Sequence, residues 1–126
     1  MDRVDDLFLI GLSHRTAPVE VRERYAVQPQ DLDACLAGLG GVDELEEVCV
    51  LSTCNRTEVL ALARSGRDPR SSIRARVFRN AEDEYLYSYS GVQTTIHLFR
   101  LAAGLDLRGR RVVRVRHTRV CIASMA

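Results

Sequence analysis

Two short apolar runs flank a polar segment, and this arrangement constrains the chain more than any other feature. The first run is Glu47–Leu51, the second is Glu58–Ala63, and Ser52–Thr57 lies between them. Runs of this length, rich in valine and leucine and bounded by polar residues, are typical of β-strands. The spacing predicts two neighbouring strands with a functional loop between them, because loops carried by a rigid scaffold are common positions for reactive groups.

The remaining segments alternate between strand-like and helix-like patterns. Leucines 32, 36 and 39, together with Cys35, form the i, i+3, i+4, i+7 stripe of an amphipathic helix that Gly40 and Gly41 end. Strands are expected at 7–12 and 85–89, and helices are expected at 19–25, 29–39, 71–79 and 93–103. The strands are short and half polar, so the sequence predicts an α+β fold, a small mainly antiparallel sheet with helices packed on one face.

The length of 126 residues, with 46% apolar and 28% charged side chains, fits one globular domain. No apolar run approaches the roughly 18 residues of a membrane span, and the start of the chain is acidic and unlike a signal peptide. A cytoplasmic protein without membrane contact is therefore expected. The four cysteines form no C-x-x-C pair, so free thiols rather than a zinc site or a disulfide framework are expected.

Charge divides the chain into two parts. Residues 1–106 contain 12 arginines and 17 acidic residues, a net charge of −5, whereas residues 107–126 contain 6 arginines and no acidic residue. The sequence thus predicts a domain at 1–106 followed by a basic, disordered tail at 107–126. The alternative for the tail is an arginine-rich arm that binds nucleic acid.

Cys54 is the cysteine best placed to react, because polar residues surround it and it follows a strand-like run. The guanidinium of Arg56, two residues away, favours the thiolate, which is the nucleophilic form. The alternative is an incidental loop thiol. His14 and His97 could each act on a leaving group, although a lone histidine is more often a structural group.

Three motifs resemble, in order and spacing, the N-terminal catalytic domain of glutamyl-tRNA reductase. They are GLSHRTAPVEVRE at 11–23, LSTCNRTE at 51–58 and HLFRLAAGLD at 97–106, and the resemblance extends over about residues 7–106. It implies NADPH-dependent reduction of glutamyl-tRNA to glutamate-1-semialdehyde, the entry into tetrapyrrole biosynthesis.

The resemblance also implies residue roles. Cys54 matches the nucleophile, which forms a thioester with the glutamyl group, and His97 matches a histidine associated with activity. Thr53, Cys54, Asn55 and Arg56 match the substrate-binding loop, in which Arg56 is suited to hold the glutamyl carboxylate. His14 falls in a family motif without an assigned catalytic role.

The chain departs from the family after residue 106. Leu107 stands where the family has a serine, and the arginine-rich segment replaces the start of a long helix that leads to a nucleotide-binding domain and a dimerisation helix. No G-x-G-x-x-G is present, and the nearest pattern, Gly38–Gly41, ends a helix. The departure predicts a truncated or frameshifted gene product without an NADPH site or dimerisation helix, inactive as a fragment. The alternative is a non-catalytic fragment or a binding module for tRNA or a reductase partner, although the charge of −5 disfavours tRNA docking outside the tail.

Overall fold

The computed structural model describes residues 3–104, 110–115 and 118–125, and the side chains of residues 3–102. Three short 3₁₀ helices supplement the main elements at Val4–Asp6, Pro29–Asp31 and Asp83–Tyr85. The main elements in chain order are β1 (Leu7–Ser13), α1 (Val19–Tyr25), α2 (Leu32–Gly40), β2 (Leu45–Thr53), β3 (Arg56–Ala63), α3 (Arg70–Val77), β4 (Tyr87–Ser90), α4 (Val92–Gly104), β5 (Arg110–Val115) and β6 (Thr118–Met125).

The strands form a single sheet in the order β4-β1-β3-β2-β6-β5. The pairs β4/β1, β1/β3 and β3/β2 are antiparallel, β6 pairs parallel to β2, and β5 pairs antiparallel to β6. The predicted α+β class with a mainly antiparallel sheet is therefore confirmed. The segment 107–126, which the sequence predicts to be a disordered tail, contains the backbone of β5 and β6. The division of the chain into two parts at residue 106 stays a prediction.

The main core lies between the sheet and helices α1, α2 and α3. Alternating strand residues face these helices, because successive side chains of a strand point to opposite faces. The strand side chains of this face are Ile10, Leu12, Val48, Val50, Val59 and Ala61, and the helical side chains that meet them include Val21, Tyr25, Leu36, Leu39 and Ile73. Of the stripe predicted for α2, the three leucines are buried, and Cys35 is half-buried against the same cluster.

The opposite face of the sheet carries polar groups and is covered by α4. Gly11 of β1 lies beside Glu58 of β3 and Tyr87 of β4, so these three residues share that face. Thr94 of α4 is fully buried, and its Oγ1 donates to the Leu7 carbonyl at 3.5 Å. A β-carbon at Gly11 would lie 2.7 Å from Cγ of Glu58, so glycine is what leaves room for the glutamate.

No helix in the described part of the chain is long and apolar enough to cross a membrane.

Candidate active site

A tight turn carries the candidate thiol. β2 ends at Thr53 and β3 begins at Arg56, so Cys54 and Asn55 alone connect the strands. The Thr53 hydroxyl accepts hydrogen bonds from the backbone amides of Asn55, at 3.1 Å, and Arg56, at 3.2 Å. Threonine side chains stabilise turns in this way, by accepting from amides two and three residues ahead. The turn holds Cys54 exposed at the end of the hairpin.

The motif at residues 11–23 stabilises this turn through a backbone hydrogen bond. The His14 amide donates to the Asn55 carbonyl at 2.7 Å, immediately after β1 ends. The His14 chain segment is itself folded by Thr16, whose hydroxyl accepts from the Ser13 amide at 3.1 Å. Because the contact uses the main chain of His14, the residue has a structural part in the site, and its side chain is exposed.

A cavity of about 420 Å³ lies beside Cys54, between the turn and the segment around α1. Its floor is fixed by Ser52, whose hydroxyl accepts from the Val27 amide at 2.9 Å and shares a hydrogen bond with the Thr57 hydroxyl at 3.2 Å. The lining residues are Val19, Arg22, Glu23, Ala26, Val27, Gln28, Pro29, Ser52, Thr53 and Cys54. Its volume is in the range of small-molecule sites in proteins.

Arg56 points to the other face of the sheet and forms a buried ion pair. Its Nη1 donates to Oε1 of Glu58 at 2.7 Å, and the two side chains are 12% and 2% exposed. Its Nε is buried and has no hydrogen-bond partner among the described residues. Glu58 neutralises the charge of Arg56, so this guanidinium is not a free cation beside the thiol.

Glu58 is the centre of a polar network that also includes His97. The Tyr87 hydroxyl donates to its Oε1 at 2.7 Å, and Nε2 of His97 lies 2.8 Å from its Oε2. A carboxylate only accepts hydrogen bonds, so this contact requires a proton on Nε2 of His97. Burial, together with the nearby charge of Glu58, raises the pKa of the Tyr87 hydroxyl well above its usual value, so Tyr87 stays a neutral donor.

Aromatic packing fixes the orientation of His97. Its ring centroid lies 4.8 Å from that of Tyr89 and 5.9 Å from that of Tyr87. Within the described residues no hydrogen bond joins His97 to Cys54. The structure therefore connects His97 to Arg56 through Glu58, and it places the thiol at the turn next to this network.

Sequence reasoning missed Glu58, Tyr87 and Arg22. In the sequence, Glu58 is the first residue of an apolar strand-like run. A carboxylate inside a run that the sheet buries was the available signal that this residue has a specific partner. The signal for Tyr87 was weaker, because a tyrosine in an alternating strand is common. No local pattern distinguishes the half-buried Arg22 from the exposed charged residues of its short helix.

The glycine-rich stretch at 38–41 does not form a dinucleotide-binding loop. Gly38 and Gly40 lie in the last turn of α2, so the free amides of a helix N-terminus do not face this glycine-rich stretch. The loop also lacks the strand–glycine loop–helix order of a dinucleotide site. Among the residues that the structure describes, no cluster of three or more histidine, cysteine or acidic side chains could hold a metal ion.

Comparisons with known proteins agree with the motifs. The family model for the N-terminal domain of glutamyl-tRNA(Glu) reductase matches residues 10–107. The chain is 44% identical over 101 residues to the glutamyl-tRNA reductase of Deinococcus radiodurans, and this covers 80% of the chain and 28% of that protein. It is 40% identical over 104 residues to the glutamyl-tRNA reductase of Prochlorococcus marinus, which covers 78% of the chain and 24% of that protein.

A solved structure has the same fold over the same region. The glutamyl-tRNA reductase from Methanopyrus kandleri superposes with a TM-score of 0.59 at 26% identity, covering 80% of this chain and 23% of that one. The chain thus spans about a quarter of the length of the relatives that it matches. The matched family model and the relatives together show that this chain belongs to the glutamyl-tRNA reductase family and corresponds to its N-terminal domain.

Proposed function

We propose that this chain performs the acylation half of the glutamyl-tRNA reductase reaction, with Cys54 as the nucleophile, and that as a fragment it is inactive in the complete reduction. The observation that carries the proposal is the position of Cys54, exposed at a two-residue turn that hydrogen bonds from three backbone amides hold in place. A fixed nucleophile avoids the entropic cost of orientation in the transition state. The whole reductase activity is a wider proposal, since the chain spans only a quarter of its relatives.

The proposed step is a transfer of the glutamyl group from tRNA to sulfur. The Cys54 thiolate forms a bond to the ester carbonyl carbon, and the resulting tetrahedral intermediate then breaks the carbon–oxygen bond to the terminal ribose. The ribose oxygen leaves with a proton, which in the net reaction is the one that the Cys54 thiol lost on forming the thiolate, and the glutamyl group remains on Cys54 as a thioester. This division of the reaction is sensible, because a thioester accepts a nucleophile more readily than an oxygen ester does.

The face opposite the cavity supplies groups for the glutamyl side chain. Arg56 is proposed to contact the glutamyl carboxylate, with Thr53 and Asn55 shaping the loop around the thiol. Because Glu58 already accepts from Arg56 at 2.7 Å, the incoming carboxylate would have to use the remaining guanidinium donors. Such a pre-oriented cation loses little entropy on binding, and this supports a role in specificity for glutamate.

His97 is proposed to act on the substrate through its remaining ring nitrogen. Its Nε2 is engaged with Glu58 at 2.8 Å, so Nδ1 is the atom left to donate or accept a proton. The tyrosines that pack on the ring limit its rotation. A proton held at Nδ1 would suit the leaving ribose oxygen.

NADPH is the reductant that the family resemblance implies, and the glycine-rich stretch at 38–41 does not form a loop for it. Without a hydride donor, the acceptor available to the thioester is water. We expect incubation with glutamyl-tRNA and NADPH to give no semialdehyde. The alternative function is a non-catalytic fragment that binds tRNA or a reductase partner.

Acid quenching of the chain after mixing with glutamyl-tRNA tests the proposal. Peptide mapping by mass spectrometry should find a glutamyl adduct on the peptide that contains Cys54, and hydroxylamine should release it. Cys54→Ser should abolish the adduct, whereas Cys49→Ser should retain it. Absence of the adduct under conditions where tRNA still binds would favour the non-catalytic alternative.

A further inference from the structure

The cavity beside Cys54 is not accounted for by the groups proposed to hold the glutamyl side chain. Arg56, Glu58 and His97 share one face of the sheet, whereas the cavity is lined by Ser52 and the segment around α1, which pack on the other face. Cys54 lies at the turn between the two faces. A carbonyl carbon attacked at this turn would therefore have one substituent on each side.

A cationic side chain, that of Arg22, lines the cavity. Arg22 forms no ion pair among the described residues, and its Nη1 donates to the Ala17 carbonyl at 3.2 Å. The Nε of Arg22 is buried and, in the described part of the chain, has no hydrogen-bond partner. The buried Nε is out of reach of a ligand, so a phosphate would be bound by the outer Nη donors of this anchored guanidinium, whose planar fork matches the phosphate oxygens.

The rest of the cavity suits a partly apolar group. Four of its lining residues are Val19, Ala26, Val27 and Pro29, and the hydroxyl of Ser52 is already occupied by its backbone and side-chain partners. Glu23, the other charged lining residue, is exposed, so water screens its charge more than that of the half-buried Arg22. An anion beside apolar walls is the chemistry of a nucleotide.

We propose that this cavity is the subsite for the leaving group of acylation, the terminal nucleotide of tRNA, and that Arg22 binds its phosphate. The inference rests on the proposed acylation of Cys54. It assigns a function to Arg22 that is separate from the Arg56 face, and it explains why the thiol lies between two sites of different character.

Protection of Cys54 from alkylation by iodoacetamide tests this subsite in the full chain without tRNA. The probes are adenosine 5′-monophosphate and adenosine, and peptide mapping reports the alkylation rate of Cys54. We expect saturable protection by the monophosphate, and we expect adenosine to protect about tenfold more weakly, as loss of a charged contact implies. In Arg22→Gln the monophosphate should protect no better than adenosine, and in Arg22→Lys it should retain an intermediate advantage.

Arg24→Gln is the matched control, because Arg24 is on the same helix, exposed, and lines a different cavity. It should keep the full advantage of the monophosphate. Equal protection by the two probes in the unaltered chain would overturn the proposal even if Arg22→Gln failed to fold. Protection by glutarate that depends on Arg22, without protection by the monophosphate, would also overturn it and would assign the cavity to the acyl group.

Failure of this inference is distinguishable from failure of the proposed function. A chain that gives no glutamyl adduct but shows Arg22-dependent binding of the monophosphate contradicts only the acylation. A chain whose Arg22→Gln variant is acylated with the same dependence on glutamyl-tRNA concentration contradicts only the nucleotide subsite.

Discussion

Replacement of Glu58 by glutamine tests whether the buried ion pair holds the site together. The side chain keeps its size and an acceptor oxygen but loses its charge, so Arg56 becomes a cation without a counterion. The two side chains are 12% and 2% exposed, so solvent screens the pair little. Removing one charge of a buried pair costs about 3–5 kcal/mol, and the retained acceptor favours the lower end of this range, about 3 kcal/mol.

Urea unfolding followed by circular dichroism measures this loss. With a slope of about 1–3 kcal/mol per molar urea, a loss of about 3 kcal/mol lowers the midpoint by roughly 1–3 M. The double variant with Arg56→Met should be about 2 kcal/mol more stable than the sum of the two single changes predicts, because the unpaired cation is removed. Glu46→Gln is the control, since Glu46 pairs with Arg3 at the surface and should leave the midpoint nearly unchanged.

Two results would refute the reasoning. A loss below about 1 kcal/mol in Glu58→Gln, the range of exposed pairs, would mean that water or another group compensates Arg56. Additive effects in the double variant would mean that Arg56 and Glu58 do not interact energetically in solution.

Three further outcomes are expected. At neutral pH Cys54 should be alkylated much faster than Cys35, because burial raises the pKa of the Cys35 thiol, and equal rates by peptide mapping would contradict a special thiol. Because the pKa of Tyr87 is raised, the folded state keeps its phenolic proton above pH about 10, where the unfolded chain loses it. The free energy of unfolding should therefore fall as the pH rises beyond that value. Urea titrations should show a smaller fall in Tyr87→Phe. Gly11→Ala should lower the free energy of unfolding by about 1–3 kcal/mol, because its β-carbon would lie 2.7 Å from the Glu58 side chain of the neighbouring strand. Gly38→Ala is the control: this helical position faces open space, so alanine should raise the free energy of unfolding by up to about 1 kcal/mol.

The hairpin was predictable because its signal is local. The runs 47–51 and 58–63 became β2 and β3, and the stripe of leucines became α2. The polar segment between the strands is shorter in the structure than the sequence suggests. Ser52 and Thr57 are polar but belong to the sheet, because their hydroxyls hydrogen-bond to each other in the interior.

The polar network could not be predicted, because its members meet only through the sheet topology. Glu58, Tyr87 and His97 come from β3, β4 and α4, and their contacts span 29 and 39 residues of sequence. Each residue has a plausible local role in the sequence, but only the folded chain shows that the Glu58 carboxylate binds Arg56, Tyr87 and His97 together. For the same reason the sequence alone suggests that Arg56 is a free cation beside the thiol, whereas it is paired with Glu58.

The two-residue turn ties the behaviour of Cys54 to the hairpin beneath it. Both strands of the hairpin belong to the main core, and only two residues join them. On heating, Cys54 should therefore lose its enhanced reactivity as the sheet melts cooperatively, and not at a lower temperature. The Arg56 amide, whose hydrogen bond to the Thr53 hydroxyl is partly buried, should likewise exchange slowly for a turn residue.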